Sequence, residues 1–222
     1  MDTFLTYSHI VAGSTALLSG MILMLRPKGT RLHVALGWVY AIAMFWICLS
    51  ALSIITFYRF SFFLMVVGVL TAYSTFVGIR VNRRRQLGSQ KWYDWMASII
   101  TCLFGLGLYG YAIYVFSIAG WHWVGMLSLI FGTLTLVNGG RDIKFFIQGK
   151  SDDPKWWFHQ HINAMGSSYI AAVTAFVVQN GDHWMPENSV QWLFWVLPGA
   201  IGGTIIGRVI ARSRKKMRAS QA

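Results

Sequence analysis

Six histidines are the residues of this chain best suited to chemistry: His9, His33, His122, His159, His161 and His183. An imidazole can ligate a metal, relay a proton or donate to a carbonyl near neutral pH. His33 and His161 each stand at the start of a long apolar stretch, just after a basic segment. At helical spacing His33, Gly37, Tyr40 and Met44 share one face, and His161, Met165, Ser168 and Ala172 share another. If those two helices are neighbours, both imidazoles reach one ligand at one depth. A membrane b-type haem needs such an axial pair near each leaflet surface. His9 lies inside the first apolar stretch, roughly 24 Å of helix from Arg26, so it belongs to a second, outer site. Its possible partners there are His122 and His183. The candidate cofactor-binding residues are therefore His9, His33, His161, Met165 and Tyr40, with His33 and His161 as metal ligands and haem b or a quinone as the cofactor.

Other readings compete with this one. Histidines at the ends of membrane spans also serve as interfacial residues that bond headgroups or loop carbonyls. A metal-dependent hydrolase needs three ligands and a water, and His33, His161, Asp94 and Asp142 are of the right kinds. Asp142 is instead expected to pair with a cation at its helix end. A third reading has no catalysis: a carrier or binding protein for a small apolar or amphipathic molecule. No HExxH, P-loop, G-x-S-x-G or strand-linked GxGxxG is present.

The elements that must position these residues follow from hydropathy. The chain is 55% hydrophobic, 16% aromatic and 12% charged, with mean hydropathy +0.51, which sets it apart from an ordinary soluble domain. Its 11 Trp and 9 Tyr suit two membrane–water interfaces. Seven spans are expected, over Phe4–Leu25, His33–Phe57, Phe60–Ile79, Trp95–Ile118, Trp121–Val137, His161–Val178 and Val190–Ile210. The fold class is thus all-α: a polytopic bundle forming a single domain over residues 1–222.

The net charge of +12 would suggest nucleic acid in a soluble protein. Here its distribution carries the meaning. Every Lys and Arg except Arg59 falls on the side reached after an odd number of crossings. The positive-inside rule then places the N-terminus outside and the C-terminus in the cytoplasm, in a bacterial inner membrane and without a nucleic-acid partner. The first span is not expected to be a cleaved signal, because positive charge follows it rather than preceding it. The tail from Arg208, with Arg212, Arg214, Lys215, Lys216 and Arg218, is suited to anionic lipid headgroups. No acidic or basic residue lies near a span centre, which argues against a charge-lined ion path.

Small residues at helix-packing spacing complete the pattern: Gly13, Ala16 and Gly20 in the first span, Gly68, Ala72 and Thr75 in the third, Gly202, Gly203 and Gly207 in the last. Pro198 is expected to kink the last helix near Phe194. Cys48 and Cys102 fall in different spans at different depths and are not expected to pair.

The motifs His9-Ile10-x-Ala12-Gly13, Arg31-x-His33-x3-Gly37-x2-Tyr40, His161-x3-Met165 and Ser168-Tyr169-Ile170-Ala171-x2-Thr174-Ala175-Phe176 carry a family resemblance. The chain resembles the bacterial multi-pass membrane family catalogued as domain of unknown function 2306. The resemblance implies a multi-pass membrane protein and singles out His9, His33 and His161 among the six histidines. Many similar proteins carry a basic residue directly after the second-helix histidine, where this chain has Val34.

Overall fold

The computed structural model describes residues 3–58, 60–184 and 193–219, with the side chains of 63 and 182–184 left aside. Seven helices follow in order: α1 Thr3–Leu25, α2 Arg31–Phe57, α3 Phe62–Arg83, α4 Trp92–Ala119, α5 Trp123–Gln148, α6 Trp156–Trp184 and α7 Leu193–Ala219. Each is long and apolar enough to cross a membrane, and no strand occurs among the described residues. The protein is an all-α, multi-pass integral membrane protein.

The helices begin and end where local chemistry dictates. Thr30 caps α2, its hydroxyl accepting from the His33 N–H at 3.1 Å. Gly149 closes α5 in the left-handed conformation at φ 58°. Several helices outrun the expected spans: α5 continues from Val137 to Gln148, and α6 begins at Trp156 rather than His161. Hydropathy marks where apolar residues stop. A helix stops only where its backbone bonds do, and Gly139, Asp142 and Phe146 are still packed beyond the apolar limit of α5. α7 runs on through Pro198.

The distribution of side chains is that of a protein solvated by lipid. Ile42, Leu49, Ile113 and Ile118 are exposed, while Ser50, Thr75, Ser98, Thr135 and Ser168 are buried. Several of these hydroxyls donate to a carbonyl of their own helix, as Ser98 does to Asp94 at 3.1 Å. Small and hydroxyl residues inside with large apolar residues outside is the arrangement that close helix packing in hydrocarbon demands.

The chain divides into two compact units, Met1–Asn82 with Trp157–Ala222, and Arg83–Trp156. In the second unit α4 and α5 pack backbone to backbone through glycine. A Cβ on Gly105 would lie 3.0 Å from the Gly132 carbonyl oxygen, and one on Gly139 would lie 2.9 Å from that of Ser98. Next to this hairpin Arg84, 3% exposed, sits 3.8 Å from both Asp94 and Asp142 and 4.7 Å from the centre of the Phe146 ring. Asp142 thus pairs with a cation, as expected, and that cation is Arg84.

In the first unit α6 is the hub. Ser168 on α6 meets Tyr40 of α2 at 2.8 Å and Thr75 of α3 at 2.7 Å, and Tyr169 donates to the Leu17 carbonyl of α1 at 3.2 Å. Gly166 and Gly202 seat α7 against α6 through Ile206 and Ile170. Gly20 is the close-contact glycine of α1, facing the Tyr169 and Tyr40 rings. Gly13, Gly68, Gly203 and Gly207 have open space where a Cβ would go. The expected small-residue stripes are therefore used at single points, because two helices approach most closely over a short stretch and not along a whole face.

Candidate functional site: the histidines of the five-helix unit

α3 and α6 run antiparallel, and three contacts step down their seam at matched intervals. Thr75 meets Ser168, Gly78 meets Met165, and Asn82 meets His161. Gly78 lets the Met165 side chain lie against α3, since an added Cβ would overlap its thioether. The same missing side chain brings the α3 backbone close to the α6 face below. His161 Nδ1 lies 2.8 Å from the Gly78 carbonyl oxygen and 2.9 Å from the Asn82 side-chain amide.

A carbonyl oxygen accepts and cannot donate. The contact with Gly78 therefore needs the hydrogen on Nδ1, which leaves Nε2 as the ring atom with a lone pair. A backbone carbonyl on one imidazole nitrogen is the arrangement that orients the other toward a metal.

His33 lies in the first turn of α2, half-buried, and its Nδ1 is a buried polar atom with no hydrogen-bond partner among the described residues. The two imidazoles are within electrostatic reach of each other, and Lys28 also acts on His33. Lys28 itself closes α1, its ammonium donating to the carbonyls of Leu23 and, at 2.9 Å, Met24. α2 and α6 are neighbours, as the shared site requires, joined by the Tyr40–Ser168 bond.

Tyr40 and Met165 stand one to two turns farther along these faces. Tyr40 is 2% exposed and its hydroxyl is committed to Ser168. Met165 packs on Gly78 and against the cluster of Ala16, Tyr40, Ala43 and Met44. Both hold helices together.

His9 occupies the other half of the unit. Its Nδ1 is 2.8 Å from Ser50 Oγ, and that hydroxyl also lies 2.8 Å from the Trp46 carbonyl oxygen. If the single hydroxyl hydrogen goes to that carbonyl, His9 donates from Nδ1 and presents Nε2; if it goes to His9, Nδ1 accepts.

The remaining histidines have structural partners. His122 caps α5, accepting from Val124 N–H at 3.3 Å. His159 is 3% exposed and bonds Ser213 of α7 at 2.9 Å. The side chain of His183 lies outside the described residues.

The hydrolase ligand set does not assemble: among the described residues no group of three or more His, Cys, Asp and Glu side chains could hold a metal ion. Asp94 and Asp142 are engaged with Arg84 instead. Sequence reasoning passed over Gly78, Asn82 and Ser50. Asn82 left one trace, as an amide side chain in the last turn of α3, among its basic residues. No protein-family model, curated protein or solved structure matches the chain.

Proposed function

We propose that this is a redox protein of the bacterial inner membrane, N-terminus outside and C-terminus cytoplasmic, whose His33 and His161 hold a haem b near the inner leaflet. The observation that carries the reading is the Nδ1 contact of His161 with the Gly78 carbonyl, with a second imidazole in electrostatic reach whose Nδ1 is buried and has no hydrogen-bond partner among the described residues. Two neutral imidazoles are the donor set that a low-spin haem iron takes, and a bound haem supplies one-electron chemistry. The chain's own part is to orient the rings and keep water out. The Tyr40–Ser168–Thr75 hydroxyl chain ties α2, α3 and α6 together one to two turns farther in. His9 with Ser50 forms the corresponding outer position.

Quinone binding is the second reading, and the tautomer of His161 limits it. A bare Nε2 accepts from the hydroxyl of a quinol but offers nothing to a quinone carbonyl. The basic end of α7 rests on anionic headgroups in this account. Spectroscopy tests the reading. Protein purified from haem-supplied cells should show a Soret band and a sharp α-band on reduction. A colourless preparation would remove haem and leave a quinone site or a carrier of a small apolar or amphipathic molecule.

A further inference from the structure

Two contacts converge on one atom of His161 and make opposite demands on it. The Gly78 carbonyl, 2.8 Å away, requires a hydrogen on Nδ1; two lone pairs held at that distance would repel. An amide NH2 from Asn82 at 2.9 Å would require the opposite, a bare Nδ1. The backbone carbonyl is fixed within α3 and cannot turn. The amide can, because its oxygen and nitrogen are interchangeable in shape and the hydrogen-bond network decides which faces the ring. Only one arrangement satisfies both contacts: the hydrogen on Nδ1, and Asn82 with its oxygen toward it.

We propose that Asn82 is the positioning residue of the inner site: its side-chain oxygen, beside the Gly78 carbonyl, holds the hydrogen of His161 on Nδ1 and keeps the Nε2 lone pair available to a ligand. Gly78 and Asn82 stand one turn apart on α3. With one acceptor the ring can swing off the Gly78 carbonyl and exchange its hydrogen to Nε2. Two acceptors at different heights bracket Nδ1 and fix the direction in which Nε2 points. That the ligand is haem iron rests on the function proposed above; the tautomer does not.

The test is nitrogen-15 NMR of histidine-labelled protein in lipid nanodiscs, with no haem added and His161 assigned by its loss in His161→Gln. Protonated and bare ring nitrogens resonate far apart, so the tautomer is read directly. Wild type should show a protonated Nδ1 and a bare Nε2. Asn82→Asp, which can only accept when ionised, should keep that pattern. Asn82→Leu, of similar size but without an acceptor, should move part of the population to the Nε2–H form that histidine favours in water. The His159 signal, set by its bond to Ser213, reports whether each variant is folded. A wild type dominated by Nε2–H overturns the inference, as does a folded Asn82→Leu with an unchanged His161 spectrum. Should Asn82→Leu fail to fold, the wild-type and Asn82→Asp spectra decide alone. The predicted tautomer in a protein that never takes up haem would retire the haem reading and leave Asn82 as the tautomer-setting residue.

Discussion

Replacing Gly20 by alanine adds one carbon at the tightest contact of α1. That Cβ would lie 2.4 Å from both Cδ2 and Cε2 of Tyr169 and 3.2 Å from Cε2 of Tyr40. Non-bonded carbons rest about 3.5–4.0 Å apart, so the Tyr169 ring must retreat by about an ångström. It is poorly placed to do so. Its hydroxyl is tied to the Leu17 carbonyl at 3.2 Å, and its ring packs on Tyr40, which is itself bonded to Ser168. Overpacking costs about 1–3 kcal/mol, and losing the Tyr169 bond adds about 0.5–1.5 kcal/mol. The better helix propensity of alanine returns about 0.5–1 kcal/mol. The net is a loss of roughly 0.5–4 kcal/mol. Gly13→Ala is the control, since its Cβ meets nothing within 4 Å, and it should stabilise by about 0.5–1 kcal/mol. Reversible unfolding of the detergent-solubilised protein by SDS titration measures both. Equal effects of the two substitutions, or a neutral Gly20→Ala, would refute the packing argument.

Other perturbations follow from the same geometry. Ser168→Ala leaves the hydroxyls of both Tyr40 and Thr75 short of a bond, whereas Tyr40→Phe removes one partner cleanly. The same titration should show Ser168→Ala as the more damaging, with each interhelical bond worth about 0.6–2 kcal/mol in a membrane protein. Arg84→Met leaves Asp94 and Asp142 buried without their shared cation, which should cost about 3–5 kcal/mol. Adding Asp142→Asn to that variant should recover part of the loss, because the two sites are coupled. Single-cysteine labelling should find positions 91 and 150 and the α7 tail on the cytoplasmic side. Labelling of the 149–155 loop from outside would reverse the proposed orientation.

Helix number and order were legible because seven apolar stretches, with basic loops at alternate connections, leave little choice in a bilayer. The neighbouring of α2 and α6 was legible as a condition, through two polar faces at matching depth, and Tyr40–Ser168 meets it. Helix ends were less so: α5 carries its packing on through Asp142 and Phe146, where the apolar signal has already faded. Glycine spacing marked α1 as a packing helix but could not separate Gly20 from Gly13. That depends on where another helix's aromatic ring lies. Arg84 is one of several arginines in a basic run, and only the fold sets it between two carboxylates. Asn82 carries no motif at all. Its role arises from the antiparallel register of α3 on α6, which no local pattern encodes.

The account turns on His33 and His161 serving one ligand. The direct measurement is haem bound per protein in wild type, His33→Ala, His161→Ala and the double variant, each purified from haem-supplied cells. If both imidazoles hold one iron, either substitution removes nearly all the bis-histidine spectrum and the second adds little, as residues acting as a unit are non-additive. His122→Ala should leave the spectrum unchanged, since that side chain caps α5. A colourless wild type, or two mild losses that simply add, would contradict the shared site.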